Sequence, residues 1–178
     1  MSVSEKIRAL AGEGLSVSEI AKRLGIRYQH AYGVLNQSQA STEPKSPLTT
    51  QQLLATGFSL AGHWQLSNSG DLATNQKLPS DVGVYAFAKN NTALYVGVAT
   101  IGLAKRIYFY GKPGPKQITN LRLNEMLKAE LLSGSEIEIY VARPPDFDWN
   151  GLPIHGAAGL ELGLIKKFDL PWNKRSAL

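Results

Sequence analysis

Apolar residues recur at helical spacing in the first third of the chain and at alternating spacing in the middle, and this change of period sets the predicted elements. Ser2-x-x-Glu5 and Ser16-x-x-Glu19 have the layout of capping boxes, in which a serine oxygen accepts from the orphan N–H groups of a helix start while the glutamate reaches back. They predict short helices over about 3–11 and 17–24, with Gly12, Gly14 and Gly25 loosening the turns that follow. A third helix over 27–35 would turn Ala31, Val34 and Leu35 toward Ile7, Leu10, Ile20 and Leu24. Arg27, Tyr28, Gln29, His30 and Tyr32 are then left for the outer surface.

The phrase Leu15-Ser-Val-Ser-Glu-Ile-Ala-Lys-Arg-Leu-Gly-Ile26 resembles bacterial helix-turn-helix modules. The resemblance implies that residues 1–37 bind DNA through their last helix, where Arg27 suits a guanine edge and Gln29 an adenine edge. A packing or dimerisation unit is the alternative for the same three helices. Residues 38–50 are rich in Gln, Ser, Thr and Pro and poor in large apolar side chains, the composition of a linker. A second domain is expected over 51–178.

In that second part a short helix is predicted at 51–55, a strand at 58–66 and a turn at 67–71. Residues 82–88 and 93–98 alternate like two strands of a hairpin, which would bring Tyr85 and Tyr95 near each other. Helical patterns follow from Leu103 and over 121–132, separated by a basic loop at 111–122. A third alternating strand at 136–141 and a helix at 157–168 complete the reading. The fold class is therefore α+β, with a small three-stranded antiparallel or mixed sheet flanked by helices and the three-helix module in front.

With 178 residues, 43% of them hydrophobic, the chain can bury one good core and a small accessory module. No apolar run is long enough to span a bilayer and no secretion signal opens the chain, so a soluble cytoplasmic protein is expected. The lack of cysteine excludes disulfides, a thiolate nucleophile and a thiolate zinc site, leaving oxygen or histidine ligands for any metal. His30, His63 and His155 fall into no ligand spacing. The net charge of +5 is uneven. Between Gly102 and Lys128, six cations (Lys105, Arg106, Lys112, Lys116, Arg122 and Lys128) face Glu125 alone, a surplus of 6 − 1 = 5. A basic segment of this kind suits phosphate contacts or is a solvated face.

Arg106 and Tyr110 stand four apart, on one helix face. Glu161 falls inside the apolar stripe of its helix, between Ala157, Leu164, Ile165 and Phe168. A carboxylate there needs an arginine, a hydrogen-bond network or a metal ion.

Gly83-Val-Tyr85, nine residues, Tyr95-Val-Gly97, then Arg106, Tyr110, Leu160-Glu161 and Pro171-Trp-Asn173 resemble, in that order, the GIY-YIG nuclease superfamily over residues 82–173. The central isoleucines of the family name are valine here, and Tyr110 stands where several members carry histidine. The resemblance implies a catalytic set of Tyr85, Tyr95, Arg106, Tyr110, Glu161 and Asn173. Glu161 would bind one Mg²⁺, with Mn²⁺ able to substitute, and Arg106 would support the scissile phosphate. Tyr85 and Tyr95 would orient or deprotonate the attacking water, Tyr110 would assist and Asn173 would brace the site. A phenol near pKa ~10 is a weak base at neutral pH, so it must be shifted down or act through the metal. Which tyrosine serves is left open. Lys105, Lys112, Lys116, Gln117, Asn120 and Arg122 are candidate DNA contacts.

Within the superfamily the short chain is most similar to the small type II restriction endonucleases. That implies double-stranded DNA as partner, a homodimer on DNA and a companion DNA methyltransferase acting on the same site. Two alternatives stay open: a structure- or single-strand-selective repair, phage or mobile-element nuclease, for which Tyr108, Phe109 and Tyr110 offer stacking surfaces, and an inactive DNA-binding regulator.

Overall fold

The computed structural model describes residues 2–37 and 44–174, which divide into two compact units, Met1–Pro44 and Lys45–Leu178. In the first, α1 (Val3–Gly12), α2 (Val17–Leu24) and α3 (Tyr28–Gln37) enclose Ile7, Ile20, Ala31 and Val34. Both serine-glutamate capping boxes are formed, and Gly25 ends α2 in the left-handed conformation at φ 64°. Leu10, Leu24 and Leu35 pack against the same core.

The second unit is built on one five-stranded sheet, where the sequence pattern suggests three strands. Its members are β1 (Ser59–Leu66), β2 (Leu72–Thr74), β3 (Gly83–Lys89), β4 (Thr92–Ala99) and β5 (Ile137–Ala142). They run in the order β2-β1-β5-β3-β4, every neighbouring pair antiparallel. Long-range pairing of β1 with β5 joins the front of the domain to its middle, which local periodicity does not reveal. A separate hairpin, β6 (Phe147–Trp149) with β7 (Leu152–Ile154), leads into the last helix.

Helices cover both faces of the sheet. On one, α5 (Leu103–Gly111) and α6 (Ile118–Leu132) set Leu103, Ile107, Tyr110, Leu123 and Leu127 against Tyr85, Phe87, Tyr95, Ile137 and Ile139. On the other, α4 (Thr50–Ala55) and α7 (Gly156–Lys167) cover Val84, Ala86, Val96 and Tyr140 with Leu53, Ala157 and Phe168. The six residues Gly83–Ala88 are therefore buried on both sides of the strand.

Two boundaries differ from expectation. Of the stretch read as a linker, residues 38–43 lie outside the described residues, and residues 45–50 are built into the second unit. Leu48 is 2% exposed in the α4 and α7 core, and Ala93 donates its N–H to the Leu48 carbonyl. Helix α6 starts at Ile118 rather than near residue 121, so the basic loop shrinks to 112–117. Among the described residues no helix is long and apolar enough to cross a membrane.

Candidate active site

The hairpin of β3 and β4 turns through Asn90 and Asn91, both left-handed at φ 49° and 63°, a conformation that a two-residue hairpin loop requires and asparagine tolerates. Tyr85 thereby pairs with Gly97, and Phe87 with Tyr95. The two phenols share the α5 face, their ring centroids 6.2 Å apart. Helix α5 adds Tyr110, and one turn earlier Arg106, whose guanidinium lies 4.5 Å from the centroid of the Tyr110 ring.

The hydroxyls of the three tyrosines join into one cluster. Arg106 Nη2 donates to the Tyr110 oxygen at 2.7 Å, and Tyr110 donates to Tyr95 at 3.2 Å. A hydroxyl owns one proton and two lone pairs, so in the 2.6 Å contact between Tyr85 and Tyr110 the donor must be Tyr85. This leaves Tyr95's own proton without an acceptor among the described residues. Tyr95 is also the only one of the three with any exposure, 7%, while Tyr85 and Tyr110 are fully buried.

Glu161 approaches from the opposite face, around the edge of the sheet. β4 is the end strand, and its outward backbone groups are taken by groups that follow α7 or sit on it. Val98 donates its N–H to Glu161 Oε1 at 3.0 Å. Asn173 behaves like a further strand residue, its Oδ1 accepting from Val96 N–H at 2.9 Å and its Nδ2 donating to the Val96 carbonyl at 2.8 Å. Trp172 N–H adds a bond to the Leu94 carbonyl. These contacts close an edge that would otherwise be open to strand addition.

Charge follows burial. Burial holds the Glu161 carboxyl above the usual carboxylate range, against the opposing pull of the Val98 N–H and the Arg106 charge. Burial likewise pushes the Tyr85 and Tyr110 phenols up, reinforced for Tyr85 by Tyr95 and for Tyr110 by Tyr85, with Arg106 opposing. At these two positions desolvation of the phenolate outweighs the guanidinium, and this runs against the downward shift that is one of the two expectations for the phenols.

The structure brings Tyr85, Tyr95, Arg106, Tyr110, Glu161 and Asn173 around β4, but it separates the basic residues. Lys105, Lys112, Lys116 and Gln117 are exposed, Lys112 standing 6.0 Å from the Tyr108 ring centroid. Asn120 is 6% exposed and accepts from Arg106, which corrects its reading as a surface contact. Arg122 is corrected as well, since its Nη2 donates to the Trp172 carbonyl at 2.8 Å and its Nε is buried. In the first unit Arg27, Tyr28, Gln29, His30 and Tyr32 are exposed, the two tyrosine rings stacked at 5.9 Å. His155 caps α7, its Nδ1 accepting from Ala158 N–H. Gly97 is a further residue of the site that the sequence pattern does not single out, although it stands in Tyr95-Val-Gly97.

No family model matches the chain, and no curated protein matches it in sequence. Among solved structures it is similar to a mutant of bacteriophage T4 EndoII, with 22% identity and a TM-score of 0.61 over 71% of this chain and 98% of that one. It is also similar to the restriction endonuclease HPY188I in complex with product DNA, with 15% identity and a TM-score of 0.44 over 70% of this chain and 87% of that one. The first likeness shows a shared fold.

Proposed function

We propose that this chain is a DNA endonuclease of GIY-YIG type, hydrolysing phosphodiester bonds at the outer edge of β4. The observation that carries the reading is the hydroxyl cluster itself: a guanidinium and three phenols in one hydrogen-bonded set, with a half-buried carboxylate just around the strand edge. The fold shared with EndoII supports it.

Phosphodiester hydrolysis builds negative charge on non-bridging oxygens and needs a proton taken from water and one returned to the leaving oxygen. Arg106 uses one N–H on Tyr110 and one on Asn120, leaving three of its five for a phosphate. Tyr95 carries the cluster's unspent proton and its exposed edge, so it is the phenol that meets water or phosphate. Tyr85 and Tyr110 stay protonated behind it and hold Tyr95 and Arg106 in place.

The donor set fits a hard divalent cation. Glu161 Oε1 is engaged by Val98, and its second oxygen has no donor among the described residues. No group of three or more His, Cys, Asp or Glu gathers among them, so the cation would rest on few protein ligands, of which Glu161 is the one assigned here. Mg²⁺ commonly binds through one or two carboxylates and substrate phosphates, and Mn²⁺ can take the same place. Bound there, the cation would supply positive charge to the phosphoryl oxygens.

Further parts of the reading concern DNA choice. The exposed face of α3, with Arg27, Tyr28, Gln29, His30 and Tyr32, would read or grip duplex as a helix-turn-helix does, and Lys105, Lys112, Lys116 and Gln117 would hold phosphates. One site cuts one strand, so a double-strand break at a symmetric sequence would use a two-fold pair of chains.

The test is cleavage of supercoiled plasmid and phage duplex DNA with Mg²⁺ or with EDTA, beside Glu161→Ala and Arg106→Ala. Discrete metal-dependent fragments lost in both variants support a site-specific endonuclease. Nicking or a preference for single strands moves the reading to a structure-selective nuclease. Absence of cleavage with Mg²⁺ and Mn²⁺ refutes it.

A further inference from the structure

Asn120 and Thr50 are the buried polar side chains outside the aromatic cluster among the described residues. A buried amide must find partners, and those of Asn120 form a directed chain. Guanidinium groups only donate, so the Asn120 oxygen faces Arg106, accepting from Nη1 at 2.9 Å. Its Nδ2 must then face away, donating to Gln117 Oε1 at 2.9 Å. The same Gln117 oxygen accepts the Gly114 N–H at 3.0 Å. Gln117 is exposed, and its Nε2 is left with both protons and no partner among the described residues, beside Lys116.

We propose that Asn120 is a positioning residue for Arg106, and that Gln117 couples this positioning to the seating of the 112–117 loop on a DNA phosphate. The proposal rests on the endonuclease reading. Arg106 is pinned at both Nη atoms, by Tyr110 and by Asn120, and stacked over the Tyr110 ring. Two fixed points and a stacking plane set the direction of its remaining donors. Packing of α5 on α6 does not need the amide, because Leu103, Ile107, Leu123 and Leu127 already fill that interface. Lys112, Lys116 and Gln117 are all exposed, so this loop offers an amide and two ammonium groups to a phosphate. A phosphate bound by Gln117 Nε2 fixes the Gln117 oxygen, which fixes Asn120 and hence Arg106.

The test measures cleavage of plasmid DNA, anisotropy of a fluorescein-labelled duplex and the Arg106 side-chain N–H resonances in four full-length variants. Asn120→Ala should lower kcat by about 10- to 100-fold, the range for a misaligned group, while duplex Kd stays within about threefold. Asn120→Asp keeps an oxygen for Arg106 and should recover most of that loss. Gln117→Glu keeps the accepting oxygen but replaces the outward donor with negative charge, so duplex Kd should rise by about tenfold. Because a phosphate no longer fixes the Gln117 oxygen, kcat at saturating DNA should fall as well; a kcat equal to the wild type overturns the coupling. Gln117→Ala releases loop and amide together and should impair both. Slowly exchanging Arg106 N–H signals in the wild type should broaden or vanish in Asn120→Ala. Unchanged kcat and unchanged Arg106 signals in Asn120→Ala overturn the positioning role, as does an Asn120→Asp variant no better than Asn120→Ala at equal thermal stability. If the wild type binds duplex but cuts nothing, the endonuclease reading fails, and the Arg106 resonances on adding duplex still decide the coupling: they should sharpen in the wild type and not in Gln117→Glu, and an equal response in both overturns it. A wild type that neither binds nor cuts sinks both.

Discussion

Gly97 lies directly across the β3–β4 ladder from Tyr85, and the space its missing Cβ would occupy is filled by the Tyr85 hydroxyl. The glycine keeps no left-handed backbone; what it supplies is room. A side chain at position 97 would displace the ring of Tyr85 and also press on Tyr95, whose Cε1 stands 3.0 Å from that point.

Gly97→Ala should therefore destabilise the second unit by about 1–3 kcal/mol, the usual cost of overpacking a core. Cleavage should fall further than stability explains, by at least about tenfold, because the hydroxyl cluster loses its geometry. Thermal melting and plasmid cleavage read the two effects. A variant as stable and as active as the wild type would contradict the close approach.

Tyr110→Phe removes the oxygen that accepts from Arg106 and Tyr85 and donates to Tyr95. Stability should drop by about 1–3 kcal/mol, since a buried donor is left unpaired. Cleavage should fall by about 100-fold, more than in Tyr85→Phe, which removes a single contact of the set. Equal rates for the two variants would argue against Tyr110 as the hub.

Stability should respond to pH through Glu161. Its carboxyl titrates higher in the folded chain than in the unfolded one because of burial. Between those two values the folded state binds more protons, so stability falls as pH rises through that window. Glu161→Gln, which cannot ionise, should flatten this part of the curve and melt higher than the wild type at neutral pH while losing cleavage. Denaturant titrations from the acid range to neutrality give the measurement; a variant that melts lower at neutral pH would show that the ionised carboxylate stabilises the fold.

Asn173 and Arg122 act through the same segment. Asn173→Asp loses the donor to the Val96 carbonyl and should cost about 1 kcal/mol, and Asn173→Ala, which loses both bonds, about 2 kcal/mol. Urea unfolding distinguishes them, and equal costs would show that only the bond from Val96 N–H matters.

Salt dependence separates the basic residues. Lys112→Ala and Lys116→Ala should each lower the slope of log K against log salt by about 1, as expected for a lost phosphate contact. Arg122→Ala should leave that slope unchanged and lower stability instead, because its guanidinium is turned to the Trp172 carbonyl. A reduced slope in Arg122→Ala would restore it as a DNA contact.

Much of this architecture was legible along the chain because it depends on near neighbours. Capping boxes at Ser2 and Ser16 need residues three apart, and both form. The two-asparagine hairpin loop needs residues in immediate succession, so the approach of Tyr85 to Tyr95 followed from their spacing, as did the shared face of Arg106 and Tyr110 on α5. The chain order of Tyr85, Tyr95, Arg106, Tyr110, Glu161 and Asn173 also suggested one site.

Contacts between distant segments were invisible to period and composition. The pairing of β1 with β5 widened the sheet from three strands to five, and Leu48, in a polar stretch, became a core residue because α4 and α7 close over it. Asn120 and Arg122 read as surface cations and amides beside other polar residues, yet α6 begins early enough to turn one toward Arg106 and the other toward Trp172. The weak acidity of the Tyr85 and Tyr110 phenols was hidden for the same reason. Local residue types show that a cation stands near a tyrosine, but only packing from several elements removes the water that a phenolate needs, and at Tyr85 and Tyr110 that loss outweighs the charge.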